Sequence, residues 1–165
     1  MDDRIRDALY NAYTGEAKAA LRLKLYAEEA RKEGYDQIAK LFRVISFSEE
    51  IHGKRALRVL KDVKSTEENV KDSFESEQKV AEIAYDAMLR LANDMGDKAA
   101  ALHFSQSRDV EEFHARLYKS TLDDMMSERV TDYYVCTFCG YVSDGVLPEE
   151  CPVCGFKKDR FVHFE

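Results

Sequence analysis

Residues 1–130 of this 165-residue sequence contain no proline, no cysteine and only four glycines. Both prolines and all four cysteines lie in the last 30 residues. Because proline and glycine are the main helix breakers, this distribution predicts a long helical segment followed by a short, turn-rich one. We place the boundary near Ser127 to Asp132, with a helical domain over 1–128 and a cysteine-bearing domain over 132–165.

The sequence also lacks an excess of positive charge and any long apolar run. Its net charge is −7, with 45% hydrophobic and 35% charged residues, which indicates a folded chain. An acidic chain without a basic cluster is a poor candidate for binding nucleic acid or anionic membranes. No apolar run approaches the ~20 residues of a membrane span, and the N-terminus has no signal-peptide stretch. We therefore expect a cytoplasmic protein without nucleic-acid or membrane partners.

Apolar residues recur at helical spacing in four stretches. Breaks fall at Gly34, at Lys64–Ser65 and at Gly96, and Ser65 with Glu68 fits a capping box that starts the third helix. These signals predict an all-α four-helix bundle followed by a small C-terminal domain. The third apolar stripe is predicted to contain Val70, Phe74, Ala81, Ala84, Met88 and Leu91.

Each apolar stripe is interrupted near its middle by glutamate or histidine. A lone glutamate at such a place is usually a surface charge, but six residues in one pattern are not. The spacing repeats, since 33 residues separate the ligand candidates of the first two helices and 34 separate those of the last two. The candidates are Glu16 in the first helix, Glu49 and His52 in the second, Glu77 in the third, and Glu111 and His114 in the fourth.

This pattern has a specific chemical meaning. One glutamate from each of two helices, with Glu-x-x-His from each of the other two, is the ligand set of ferritin-like di-iron and di-manganese bundles. Four carboxylates and two neutral imidazoles balance two divalent cations, which offsets the cost of burying them. The residues alone leave iron and manganese open. His103 and His163 lack such partners, and we expect them on the surface or in packing roles.

The four cysteines form two Cys-x-x-Cys pairs separated by eleven residues, Cys136 with Cys139 and Cys151 with Cys154. Structural disulfides are rare in the cytosol, so a metal is the better interpretation. The spacing predicts a tetrahedral four-sulfur site. It does not separate zinc, which would make a structural ribbon, from iron, which would make a one-electron carrier.

Short motifs cover nearly the whole chain: Gly15-Glu16, Ile38–Phe42, Glu49–His52, Glu75–Glu77, Glu111–His114, Pro148–Gly155 and Phe161–Glu165. Together they resemble the rubrerythrin family, which joins a di-iron four-helix domain to a rubredoxin-like one-iron domain. The resemblance implies a peroxidase that protects against oxidative stress by reducing hydrogen peroxide to water. Electrons would enter through the rubredoxin-like iron from a reduced rubredoxin or an NAD(P)H-dependent reductase.

The resemblance also implies a role for each candidate residue. The four cysteines would bind one iron rather than zinc, and the six Glu and His residues would bind two. Glu49 and Glu111 would bridge the two irons and Glu16 and Glu77 would be terminal ligands, with His52 and His114 supplying nitrogen. Tyr85 corresponds to a tyrosine of the family's third helix and is a further catalytic candidate.

Two positions depart from the family pattern. Rubrerythrins usually carry a further glutamate three residues after the helix-three ligand, which exchanges with the first histidine at one iron; here it is Val80. A tyrosine seven residues after the first ligand glutamate is Leu23 here. Glu82, about 140° around the helix from Glu77, is expected on the solvated face. The six-ligand set is then like that of bacterioferritin, which keeps a ferroxidase or oxygen reductase as the main alternative. An iron-storage protein and a non-enzymatic zinc-ribbon adaptor follow.

The repeat also carries information about assembly. A two-fold relation between the two helical hairpins makes the third helix parallel to the second. The link of about Val63 to Thr66 reaches roughly 14 Å, whereas a 28-residue helix is roughly 40 Å long. We therefore expect a homodimer that exchanges hairpins rather than a simple up-down-up-down bundle in one chain.

Overall fold

Helices account for most of the chain, and short strands occur only at its C-terminal end. The computed structural model describes residues 1–125 and 130–165. Its helical elements are α1 (Asp3–Lys32), α2 (Asp36–Leu60), α3 (Thr66–Lys79), a π-helical segment (Val80–Tyr85), α4 (Asp86–Asp94) and α5 (Lys98–Asp123). The strands are β1 (Tyr133–Cys136), β2 (Val142–Asp144) and β3 (Phe161–Phe164), with a 3-10 turn over Lys158–Arg160.

This architecture confirms the predicted fold class of a helical protein with a small cysteine-bearing module. The predicted boundary at Ser127 to Asp132, like the predicted end of the helical domain at 128, falls on or next to residues 126–129, which lie outside the described residues. Among the described helices, none is long and apolar enough to cross a membrane.

The first of two structural units, residues 1–64, is a hairpin of α1 and α2. The two helices approach closely because small side chains line their contact. The Ser46 hydroxyl donates a hydrogen bond to the Ala20 carbonyl over 2.8 Å, and a Cβ on Gly53 would lie 3.7 Å from the Cβ of Glu16. The buried residues of this contact are Ala20, Ala27, Ala30, Ala39, Ser46, Gly53, Ala56 and Leu60.

The larger apolar side chains of this hairpin are not in that contact. Ile38, Ile45 and Val59, which the sequence pattern places on the apolar stripe of α2, are 46%, 40% and 53% exposed. The hairpin therefore buries its small residues and leaves an apolar face open. Such a face on a soluble helix normally packs against another element.

The second unit, residues 65–165, contains the other helices and the cysteine module. The predicted capping box is present: the Ser65 side chain accepts a hydrogen bond from the Glu68 backbone N–H, and the Glu68 carboxylate accepts one from the Ser65 N–H. The predicted break at Gly96 is also confirmed, since this glycine follows α4 with a left-handed φ of +70°. Along this unit α3, the π segment and α4 pack against α5.

The third helix is not the regular α-helix that the apolar spacing predicts. It widens to a π-helix over Val80–Tyr85, and the residues after the widening are rotated. Met88 and Leu91, predicted on the apolar stripe, are 43% and 64% exposed, while Leu89 is partly buried and Ala92 fully buried. The inward face has moved by one residue, as it must when one residue is added to a helical turn.

The internal repeat explains why the widening occurs only in the second unit. Glu16 lies 18 residues before Gly34, the glycine that ends the first helix, whereas Glu77 lies 19 residues before Gly96. A π turn is the ordinary way for a helix to accommodate one inserted residue while both of its ends keep their contacts. The insertion leaves Glu77 facing α5.

The cysteine module is a three-stranded antiparallel sheet in the order β2-β1-β3. It packs on α5 through an edge-to-face contact of Tyr141 with Phe113, whose ring centroids lie 4.7 Å apart. Gly140 adopts a left-handed φ of +85°, and a Cβ at this position would lie 3.9 Å from Val110 on α5. Glycine therefore serves both the turn and the close approach.

If the π segment is a one-residue insertion, removing one exposed residue from it leaves both helix faces in register. We expect deletion of Glu82 to lower Tm by less than about 3 °C, because no core residue changes its orientation. Deletion of the exposed Arg22 from the regular helix α1 is the matched control. It rotates half of that helix by ~100° and is expected to lower Tm by more than about 10 °C. Thermal unfolding followed by circular dichroism measures both, and equal losses would contradict the insertion.

Candidate metal centres

The first unit brings three of the predicted ligands together. Glu16 of α1 lies opposite Glu49 and His52 of α2, and one ligand atom from each lies within 4.8 Å of the others. His52 Nδ1 is 3.1 Å from Glu49 Oε2 and 3.8 Å from Glu16 Oε1. The i, i+3 spacing places Glu49 and His52 on one face of α2, and the close helix contact at Gly53 brings Glu16 to them.

The second unit repeats this arrangement with Glu77, Glu111 and His114, again within 4.8 Å of one another. His114 Nδ1 is 3.0 Å from Glu111 Oε2 and 4.0 Å from Glu77 Oε1. Only about a quarter of the His114 side chain is exposed (24%), compared with 52% for His52. The two clusters thus have the same ligands, but the second is the more buried.

The electrostatics of the clusters favour a bound cation. Burial raises the pKa of Glu77 to about 7, and the neighbouring Glu111 carboxyl group acts in the same direction. In the first cluster, a hydrogen bond with Glu49, with some desolvation, raises the pKa of Glu16. Paired carboxyl groups hold protons in this way when no positive charge lies between them. Two carboxylates and an imidazole in each cluster fit one divalent cation each, of the iron or manganese type.

The four cysteines also meet. Cys136 Sγ lies 3.7 Å from Cys154 Sγ, Cys139 Sγ lies 3.5 Å from Cys151 Sγ, and all four sulfurs fall within 4.8 Å of one another. A tetrahedral site with metal–sulfur bonds of ~2.3 Å requires sulfur–sulfur distances of ~3.8 Å. All four cysteines are free thiols, so the geometry fits a four-sulfur metal site.

Two left-handed glycines shape the sulfur site. Gly140 and Gly155 each follow the second cysteine of a pair, and each donates its N–H to the carbonyl of the first cysteine over 2.9 Å. Desolvation raises the pKa of Cys139 far above that of an ordinary thiol. Desolvation acts on Cys136 as well, but backbone hydrogen bonds from Cys139 and Phe138 outweigh it and lower its pKa. A metal that binds the four thiols displaces their protons.

A contact that the sequence does not reveal joins the second cluster to the cysteine module. His114 Nε2 donates a hydrogen bond to the Gly140 carbonyl over 3.3 Å, and Gly140 is the residue after Cys139. Metal-binding histidines usually donate their second N–H to such an acceptor, which orients the ring. The bond leaves Nδ1 for the metal. His52 shows no corresponding contact among those in the described part of the chain.

The other residues singled out in the sequence lie outside the three clusters. Tyr85 ends the π segment, with its ring 6.3 Å from that of Phe104. Val80 begins the same segment, and Glu82 is exposed and accepts a hydrogen bond from Gln78, as expected for the solvated face. His163 stacks on Tyr134 at 4.8 Å, which is a packing role.

The raised pKa of Glu77 predicts how the stability of the metal-free protein depends on pH. Folding takes up a proton on Glu77 between its ordinary pKa of 4.5 and about 7. The free energy of unfolding is therefore highest below pH 4.5 and falls as pH rises through 7, by on the order of 1 kcal/mol because solvent still reaches the group. Urea unfolding from pH 4 to 8 measures this fall. The Glu77→Gln variant should flatten it and Glu75→Gln, which changes an exposed neighbour, should not; an unchanged slope in Glu77→Gln would contradict the assignment.

Comparisons with known proteins agree with these sites. Residues 7–122 match the rubrerythrin family model and residues 134–162 match the model of the rubrerythrin rubredoxin-like domain. The chain is 30% identical to rubrerythrin-2 of Clostridium acetobutylicum over 96% of this chain and 95% of that one. It is 31% identical to a rubrerythrin of Porphyromonas gingivalis over 93% and 86% of the two chains. The solved structure of fully reduced, all-ferrous nigerythrin superposes with a TM-score of 0.60 at 26% identity, over 96% of this chain and 86% of that one. The chain therefore belongs to the rubrerythrin family, iron-dependent oxidoreductases of oxidative-stress defence that carry a di-iron site and a rubredoxin-like Fe(Cys)4 site.

Proposed function

We propose that this protein is a peroxidase that reduces hydrogen peroxide to water with electrons from its Fe(Cys)4 centre. The balanced reaction consumes one peroxide, two protons and two electrons and yields two waters. The observation that carries the proposal is the hydrogen bond from His114 to Gly140, because it links a di-iron ligand to the sulfur site within one chain. A structural zinc ribbon has no use for such a link.

The residues divide the work between them. Glu16, Glu49, His52, Glu77, Glu111 and His114 would hold two irons, which when ferrous supply the two electrons that cleave the O–O bond. The carboxylate-rich ligand set can change between terminal and bridging positions as the charge of the site changes. Burial of the second cluster keeps bulk water away from its carboxylates. Tyr85, in the same unit, is proposed as an accessory hydroxyl group.

The route for electrons is proposed to stay within the second unit. Cys139 is bonded in sequence to Gly140, whose carbonyl accepts the His114 Nε2 proton. The Tyr141–Phe113 contact holds the module against α5 at this place. Each turnover would draw two single electrons along this route, resupplied by a reduced rubredoxin or an NAD(P)H-dependent reductase.

Oxygen reduction is the second candidate, and Val80 is the observation that favours it. This apolar residue stands where rubrerythrins usually have an additional carboxylate ligand, at the start of the π segment. Without that carboxylate, the site has the ligand number of bacterioferritin-like oxidases. Peroxide remains our first choice because the appended Fe(Cys)4 module suits repeated single-electron delivery.

We further propose that each di-iron site is assembled from hairpins of two chains. The open apolar face of α2 and the three ligands in each unit both call for a second hairpin. Only residues 61–65 join α2 to α3, and five residues reach ~17 Å, well below the ~37 Å length of the 25-residue α2. A parallel partner is therefore more readily supplied by a second chain.

The choice of substrate can be tested by stopped-flow absorbance. The anaerobically reduced protein, loaded with iron, is mixed separately with equal concentrations of peroxide and of oxygen. We expect the colour of the ferric Fe(Cys)4 centre to return at least about tenfold faster with peroxide, since only peroxide arrives with the O–O bond already at the level cleaved by two electrons. Faster return with oxygen would replace the peroxidase with an oxidase.

Hairpin exchange can be tested by complementation. One variant carries Glu49→Ala in the first hairpin and another carries Glu111→Ala in the second. If two chains share each site, unfolding and refolding them together restores intact sites to about a quarter of the total, because half of the randomly formed dimers hold one good site. Peroxidase activity and iron content measure the recovery. Mixing the folded variants without unfolding is the control, and no recovery after joint refolding would contradict the exchange.

A further inference from the structure

We propose that an aromatic patch on the cysteine module is the docking surface for an acidic one-electron carrier protein. The patch consists of Phe138, Phe156 and Arg160. The proposal rests on the proposed function, because it concerns the supply of electrons to the Fe(Cys)4 centre. It adds the place of entry and the chemistry of the donor.

The module has one side that is already in use. Gly140, next to the first cysteine pair, contacts Val110 and His114 of α5, and Tyr141 packs on Phe113. Electrons leave toward the di-iron ligands on this side. A donor must therefore approach the sulfur site from another direction.

The second cysteine pair offers that direction. No atom lies within 4 Å of the place where a Cβ on Gly155 would stand, so the backbone beside Cys154 is open. Phe156 follows at once, and its ring lies 4.5 Å from that of Phe138, which sits between the two cysteines of the first pair. The patch thus spans both cysteine loops.

Both rings are on the surface. Phe138 is 59% exposed and Phe156 is 36% exposed. The four sulfurs are held by the glycine turns and the strands, so the site does not require two phenyl rings in water. Exposed aromatic rings beside an arginine are typical of protein-binding surfaces, and electron-transfer complexes use small ones.

Charge indicates the kind of partner. Residues 130–165 contain six carboxylates from Asp and Glu but only three Lys and Arg residues, and all three lie at 157–160, beside Phe156. Lys157 pairs with Glu150 and Lys158 with Glu149, so these two cations are largely neutralised. The Arg160 guanidinium lies 5.6 Å from the Phe156 ring centroid. A partner with an apolar rim around its redox centre and a carboxylate for Arg160 matches this edge.

The test compares two reductants on the iron-loaded full-length protein. The probe for docking is reduced rubredoxin, a small acidic carrier, and the probe for the iron itself is reduced methyl viologen. Loss of the ferric Fe(Cys)4 absorbance in stopped flow gives both rates. Phe138→Ser and Arg160→Glu are expected to slow reduction by rubredoxin at least about tenfold and to leave reduction by methyl viologen within about twofold.

Two controls make the result specific. Arg160→Lys keeps the charge and should retain most of the rate, with the same decrease at high salt as the natural protein. Phe164→Ser removes a phenylalanine that is 55% exposed at the end of β3 away from Cys136, and it should change neither rate. An unchanged ferric spectrum and iron content in each variant show that the sulfur site is intact.

Three results would overturn the proposal. Equal slowing with both reductants would mean that the patch tunes the iron, and no slowing would mean that the donor docks elsewhere. A change of oligomeric state in the patch variants would mean that a second copy of this chain covers the patch. Reoxidation by peroxide after chemical reduction tests the proposed function separately, because it bypasses docking.

Discussion

The repulsion between paired carboxylates is the constraint on which the rest of this structure depends. Glu77 beside Glu111, and Glu16 beside Glu49, cannot all be ionised at short range without a cation between them. Everything that brings them together, from the small residues at the α1–α2 contact to the π segment in the third helix, stabilises an arrangement that is unfavourable without metal. That is the signature of a site built for binding rather than for the stability of the helices alone.

The two halves of the repeat have diverged in a way that gives the site a direction. The second cluster is more buried, follows a π segment and has its histidine bonded to the cysteine module, whereas His52 is half exposed. A symmetric ligand set thus has one end adjoining an electron source. The module itself continues this direction, with one face against α5 and an exposed aromatic edge at the other cysteine loop.

Sequence reasoning recovered the ligand candidates because their chemistry is local. Glu-x-x-His and Cys-x-x-Cys place their side chains together through one helical turn or one loop, and the repeat counts the helices. The π segment was missed because a regular period was assumed, although the difference between the spacings of 33 and 34 residues was its signal. The His114–Gly140 bond and the exposed stripe of α2 depend on packing between distant segments, which no local pattern encodes.

The central claim is that one chain joins a two-iron site made by the Glu and His clusters to a one-iron site made by the cysteines. The most direct test is anaerobic reconstitution with ferrous iron, followed by metal analysis and Mössbauer spectroscopy of the natural protein and two variants. The account predicts about three irons per chain, of which Cys139→Ser/Cys154→Ser loses one and Glu49→Ala/Glu111→Ala loses two. Iron that remains at three in either variant, or a cysteine site that binds only zinc, would contradict it.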